Sequence, residues 1–417
     1  MPFPFAKSLV AAVLSAFVLA SLSGSVAAQE QKEDEGKREA PVIDPTTGKK
    51  LTDAIEALNA GKYADAKALL SKLNLDKLSP YERSRVEQIY ASIAQSENDY
   101  AGALKHIQAA IASGGLNEQE VSQAKYQVAQ IAIAQEKWKE GLDALKDWFA
   151  TAPAPNSAAY YLMAVAYYQL KDYKNAIPAA EKAIELSDKP QESWLQLLLA
   201  LRLQNDQYAE ALPILKRLLA STPDKKSYWL QLSAVNSELQ KYDDAVSAME
   251  IAYRGGILTE DAEIRRLCEL LLYVGIPYRG ATTLQKAIAD DKVKADKKTY
   301  ETLANAWIAA REYDKAAQPL GQAAALHENG DLYVRLAEVL MQREKWPEAQ
   351  DALQRALDKG KLKDTGNTKL LMGIAVYSQK KPGEARTWFQ QAREYPNERK
   401  AADGWLQHIN SEQNSGR

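Results

Sequence analysis

Large apolar residues recur at helical spacing along most of the chain. Tyr160, Met163 and Tyr167 form one such set. Trp229 with Leu232, then Tyr300, Leu303 and Trp307, then Tyr333, Leu336 and Leu340 form others. Steps of three and four residues place these side chains on one face, so the pattern predicts amphipathic helices. Each set is followed by a mark made of a polar residue, an aromatic, two polar residues and an alanine. It reads Lys62-Tyr63 to Ala66, Asp99-Tyr100 to Ala103, Asp172-Tyr173 to Ala176, Gln207-Tyr208 to Ala211 and Lys241-Tyr242 to Ala245. It continues as Pro277-Tyr278 to Ala281, Glu312-Tyr313 to Ala316 and Lys345-Trp346 to Ala349. Lys137-Trp138 to Gly141 carries glycine for alanine, and Lys381-Pro382 to Ala385 carries proline for the aromatic. Successive marks lie 33 to 38 residues apart, ten in all. A period near 34 residues means stacked helix pairs.

The mark has a mechanical reading. The aromatic fills the gap where two antiparallel helices turn, and the small residue opens the second helix where it must approach the first. A second alanine follows seven residues later as Ala110, Ala183, Ala252, Ala323, Ala356 and Ala392. Two helical turns return it to the same face, where small side chains let helices close to about 8–10 Å. Pro80, Pro153, Pro155, Pro190 and Pro223 precede or begin new first helices. Gly114-Gly115, Gly255-Gly256 and Gly360, each followed by an apolar residue within two positions, predict left-handed C-caps. Ala401, Ala402, Trp405, Leu406 and Ile409 form a last stripe that can cover the end of the core, as stacked repeats require.

These marks resemble the tetratricopeptide repeat (TPR) family. The resemblance implies an all-α fold: a right-handed α-solenoid of about ten helix-turn-helix repeats over residues 51–395. A capping helix over 396–410 and a disordered tail over 411–417 complete it. A narrower likeness lies in Ala158 to Leu170, Ser227 to Leu232, Leu271 to Tyr278 and Asp331 to Leu336. In these stretches the chain resembles the exported TPR proteins that proteobacteria encode beside the TonB–ExbB–ExbD energy-transducing system. That implies a periplasmic accessory component which scaffolds protein interactions for a transport machine. The family's first helices line the concave surface. Counted from the marks, the groove candidates are Tyr161, Val165, Tyr168 and Gln169 in the fourth repeat and Leu195, Leu199 and Arg202 in the fifth. Lys298, Glu301, Asn305 and Ile308 follow in the eighth, and Val334, Glu338 and Met341 in the ninth. Tyr and Arg are common interface anchors; the same apolar residues can equally pack against neighbouring first helices. The Lys and Asn grip on a C-terminal carboxylate known from some family members is not reproduced, because Glu301 stands where Lys is needed.

The N-terminus changes the picture of compartment. Lys7, the apolar run Leu9 to Leu22 and Val26-Ala27-Ala28 read as a signal peptide over residues 1–28, cleaved after Ala28. An uncleaved membrane anchor is the other reading of the uncharged stretch Ser8 to Gln29. Residues 29–50, charged and carrying Pro41 and Pro45, read as a flexible leader. Lys and Arg total 53 against 55 Asp and Glu, a net charge of −2, which gives no basis for nucleic-acid binding. With cleavage, the mature chain is not embedded in a membrane, though it can associate with an inner-membrane complex.

Candidate chemistry is sparse. The three histidines, His106, His327 and His408, stand outside any metal-ligand spacing, and no phosphate-binding or nucleophile-elbow glycine motif occurs. The single cysteine, Cys268, lies in an apolar helical run and reads as core. No enzyme activity and no cofactor are expected. Two roles remain: a periplasmic scaffold that binds a protein or peptide segment, and an envelope-biogenesis factor for polysaccharide secretion or peptidoglycan assembly.

Overall fold

A computed structural model describes residues 42–152 and 154–415. The expected signal peptide, most of the leader, Pro153 and the last two residues lie outside this range. The described residues form 21 α-helices, one short 3-10 turn (Leu75–Lys77) and no strand. The chain divides into two compact units, residues 1–214 and 215–417.

The first unit contains α1 (Pro45–Asn59), α2 (Tyr63–Leu70), α3 (Pro80–Ser96), α4 (Tyr100–Ala112) and α5 (Glu118–Ala134). It continues through α6 (Trp138–Thr151), α7 (Ser157–Gln169), α8 (Tyr173–Glu185) and α9 (Glu192–Gln204) into α10 (Tyr208–Ser221), which holds the boundary. The second unit contains α11 (Lys226–Glu238), α12 (Tyr242–Arg254), α13 (Asp261–Tyr273), α14 (Pro277–Ala289) and α15 (Lys297–Ala309). Then come α16 (Tyr313–Leu326), α17 (Asp331–Met341), α18 (Trp346–Lys359), α19 (Thr365–Ser378), α20 (Pro382–Arg393) and α21 (Arg399–Ser415). Odd-numbered helices are first helices and even-numbered ones are second helices. Within each unit a helix packs chiefly on its sequence neighbours, so the core is a chain of local clusters.

Every hairpin turns in the same way. The residue two positions before the second helix has positive φ, from 54° at Asp206 and Glu344 to 78° at Gly275. In nine hairpins the next residue's N–H donates back to a carbonyl five residues earlier, as Lys62 does to Ala57 (2.8 Å) and Glu312 to Trp307 (2.9 Å). This is a left-handed C-cap that satisfies the orphan carbonyls of the first helix. The aromatic that opens the second helix is half-buried over the turn, and the alanine three residues on is fully buried in eight of the ten repeats. The alanines seven further on, from Ala110 to Ala392, are at most 1% exposed. The predicted glycine caps hold as well: Gly114, Gly256 and Gly360 have φ near 70°.

Three expectations need correction. In the seventh repeat the helix opens at Pro277, two residues after Gly275, so the mark is Pro277 and not Tyr278. Tyr278 is half exposed, and Gly280 takes the small position, where a Cβ would lie 2.8 Å from Leu272 Cδ1. Ala287, seven residues on, completes the pair and is fully buried. Second, the leader does not run to residue 50. The Asp44 carboxylate accepts from the Thr46 and Thr47 N–H groups and caps α1, whose Leu51 and Ala54 are core. Third, the terminal helix begins at Arg399 and continues to Ser415, so residues 411–415 are helical and not a tail. Its stripe does cover the last repeat: Ala402 and Ile409 are fully buried, and Trp405 stacks on Phe389 at 5.4 Å. Ala401, expected in that stripe, is exposed.

Candidate functional site

Of the seven groove candidates in the fourth and fifth repeats, four are core. Tyr161 is 1% exposed and stacks on Trp194, with ring centroids 5.2 Å apart. Burial raises its phenol pKa, while a hydrogen bond with Ser193 works in the other direction. Val165, Leu195 and Leu199 are buried too. Arg202 is committed elsewhere: it donates to Gln207 Oε1 at 2.7 Å and to Glu181. Tyr168 and Gln169 remain on the first-helix face, half-buried, with Tyr168 tilted against Tyr173 at 5.9 Å.

The fifth-repeat error is one of register. Tyr161 stands twelve residues before Tyr173, but the residue twelve before Tyr208 is Gln196, not Leu195. One residue turns a helix by about 100°, which is enough to carry Leu195 and Leu199 from the face into the interior. The residues on the equivalent face are Gln196, Ala200, Leu203 and Gln204, all half-buried or exposed. Counting every repeat from the opening residue of its second helix would have found them.

In the second unit the first helices α13 and α15 enclose a cleft of about 540 Å³. Arg265 lines it. Its guanidinium donates to Asp261, to Asp296 Oδ1 at 3.2 Å and to Thr299 Oγ1 at 2.7 Å. Asp261 also accepts from the Lys294 N–H (2.8 Å), so one carboxylate ties the seventh repeat to the connector before the eighth. Asp331 repeats this latch one step on, accepting from Lys363 N–H at 2.9 Å. Arg266, Glu269 and Lys298 stand exposed around the cleft. The other candidates scatter along the same helices: Asn305, Ile308, Val334 and Met341 are half-buried and Glu338 is exposed. Glu301 Oε1 lies 4.0 Å from His327 Nε2. Arg265 and Arg266 lie in the seventh repeat, where the sequence reading placed no groove candidate, and Asp296 precedes α15; counted from Pro277, Arg265 falls at the position of Tyr161.

The latch has a pH signature. Burial raises the Asp261 carboxyl, but hydrogen bonds from Arg265 and Lys294 outweigh it and leave the pKa below the ordinary value. The Thr299 N–H does the same for Asp296, and Arg265 adds to it. A depressed folded pKa means that the stability is present above the unfolded value, near 4, and is lost as pH falls through the folded one. The thermal midpoint is therefore expected to fall as pH drops below about 4. An Arg265→Leu variant should start lower at neutral pH and lose less on acidification. Parallel midpoint–pH curves for the two proteins would contradict the latch.

Among the described residues, no group of three His, Cys, Asp or Glu side chains is placed to hold a metal ion. No described helix is long and apolar enough to cross a membrane.

Tetratricopeptide-repeat family models match residues 157–189, 198–258 and 334–399. The chain therefore carries tetratricopeptide repeats, and the first match begins at the first residue of α7. No curated protein matches. A tetratricopeptide repeat protein from Parabacteroides merdae ATCC 43184 is 14% identical, with 72% of this chain and 100% of that chain covered at a TM-score of 0.37. MamA from Desulfovibrio magneticus RS-1 is 20% identical, covering 40% and 93% at 0.32. YrrB, described as a TPR protein with an unusual peptide-binding site, is 16% identical, covering 40% and 82% at 0.34. The repeat assignment rests on the family models and on the helix pattern.

Proposed function

Starting from a chain built of tetratricopeptide repeats, we propose that this protein is a non-enzymatic, periplasmic protein-interaction scaffold, an accessory component of a TonB-type transport system. The observation that carries the scaffold reading is the linkage of neighbouring first helices across one face. Tyr161 of α7 meets Ser193 and Trp194 of α9, and Arg265 of α13 meets Asp296 and Thr299 at the start of α15. A segment laid across either face touches several repeats at once. The export signal and the resemblance to TonB-associated proteins support the compartment and the system.

The test is site-specific cross-linking in cells. A photoreactive residue at Tyr168, on the first-helix face, is compared with one at Lys182, partly exposed on the second helix α8. The expected result is a cross-link to a TonB-system subunit from position 168 alone, on a chain whose N-terminus is Gln29. Cross-links only from position 182 would overturn the groove, and an intact Met1 would overturn cleavage. Recovery of polysaccharide-secretion or peptidoglycan enzymes would move the role to envelope biogenesis.

A further inference from the structure

The last first helix, α19, and the terminal helix, α21, meet at a cluster of three polar side chains. His408 and Glu412 stand one turn apart on α21, with Nε2 and Oε1 separated by 3.5 Å. Tyr377 of α19 reaches across to both. Its Oη lies 2.9 Å from His408 Nε2 and 2.7 Å from Glu412 Oε2. Both rings lean on Trp405, whose centroid is 5.2 Å from that of Tyr377 and 6.0 Å from that of His408. Trp405 is itself stacked on the buried Phe389, so the two rings are supported from the core. His408 and Glu412 are half exposed, which leaves the cluster open to water.

We propose that Tyr377, His408 and Glu412 bind one copper(II) ion, and that the ion clamps the terminal helix to the last repeat. This goes beyond the scaffold reading and does not depend on it. Metal–nitrogen and metal–oxygen bonds of about 2.0–2.2 Å set neighbouring ligands about 2.8–3.6 Å apart, for bond angles from 90° to tetrahedral. The three separations here run from 2.7 to 3.5 Å, so an ion can replace the shared protons with little movement of the side chains. On binding, the phenol proton leaves to solvent, and the imidazole takes the tautomer with its proton on Nδ1. The phenolate and the carboxylate then balance the two charges of the ion. The donor set selects the metal. Imidazole disfavours magnesium and calcium, which take oxygen ligands and water. A mixed nitrogen and oxygen set suits copper(II), which also heads the affinity order of the divalent ions. The third ligand lies 31 residues before His408 and is a tyrosine, so no spacing of His, Cys and carboxylates announces the group.

The experiment titrates the purified chain with copper(II) and follows visible absorption. A phenolate bound to copper gives a charge-transfer band stronger than the ligand-field absorption of imidazole and carboxylate sites. The expected result is such a band, saturating at one equivalent. Tyr377→Phe keeps a ring against Trp405 and should abolish the band. His408→Gln and Glu412→Gln should each weaken copper binding by at least about tenfold, since even outer-shell partners of a metal contribute on that scale. His106→Gln, on α4 of the first unit, is the control and should leave the band unchanged. Should His408→Gln melt early without metal, the Tyr377→Phe comparison still decides. Hydrogen exchange then separates a clamp from a site confined to α21. In the copper-loaded chain the α21 amides should exchange more slowly, and Tyr377→Phe should remove that protection. No band, a band that survives Tyr377→Phe, or one lost in His106→Gln overturns the proposal. A band without added protection of α21 overturns the clamp.

Discussion

Replacing Phe389 by alanine is expected to destabilise the C-terminal repeats by about 4 kcal/mol, since truncating a fully buried phenylalanine typically costs 3–5. Phe389 lies on α20 with no exposed surface. One face of its ring stacks on Trp405 of the terminal helix, nearly parallel at 3°. Its edge fills the space above Gly373 of α19, where a Cβ would come within 2.5 Å of Cε1. The ring thus holds three helices together, and no neighbouring side chain can collapse into the hole without parting two of them. Repeats contact only their neighbours, so the loss should stay local. In urea, the fluorescence change of Trp405 should come at lower denaturant than the loss of total helical signal, whereas in the parent the two come closer together. Coincident and unshifted transitions in the variant would show that the terminal helix is not held through this ring.

A single added methyl should cost nearly as much at Gly330. Its φ of −86° is ordinary, so conformational freedom is not the reason for glycine. Space is: a Cβ there would lie 2.3 Å from the Ala356 carbonyl oxygen and 2.8 Å from Leu362 Cδ2. The Gly330 N–H donates to the Gly360 carbonyl at 3.0 Å, which pins the N-terminus of α17 against the end of α18. The obstacle is backbone, which cannot swing aside, so Gly330→Ala is expected to cost about 3 kcal/mol, at the upper end of overpacking effects. Gly383→Ala is the control. No atom lies within 4 Å of its added Cβ, and a helical alanine is favoured over glycine by about 0.5–1 kcal/mol. The two midpoints should therefore move in opposite directions; a common shift would contradict the packing at Gly330.

The fold was legible because the hairpin repeats its own chemistry. The opening aromatic, the small residue three positions on and the alanine seven further are set by how closely two helices approach, and each is visible as a residue type. The positive-φ turn was less visible, since only Gly61 and Gly275 announce it; the other eight hairpins use residues such as Lys171 and Arg311. Pro277 was overlooked because Tyr278 beside it mimics the mark. The site was harder to read. Tyr161 and Leu195 look like binding residues in a list of surface-facing positions. Whether an aromatic on a first helix is covered depends on the next first helix, about 35 residues away, and here that helix brings Trp194.

The buried thiol gives the second unit a built-in clock. Cys268 is the only cysteine of the chain, lies on α13 with no exposed surface, and has its pKa pushed up to about 12 by burial, with Glu269 adding to it. In the closed repeat a thiol reagent finds neither a path nor a thiolate. Modification must then wait for the seventh repeat to come apart. The labelling rate divided by that of an unstructured thiol gives the fraction of time this repeat spends open. Because the probe sits beside the Arg265 latch, the same measurement in the presence of a partner separates binding that clamps the seventh repeat from binding that leaves it free to breathe.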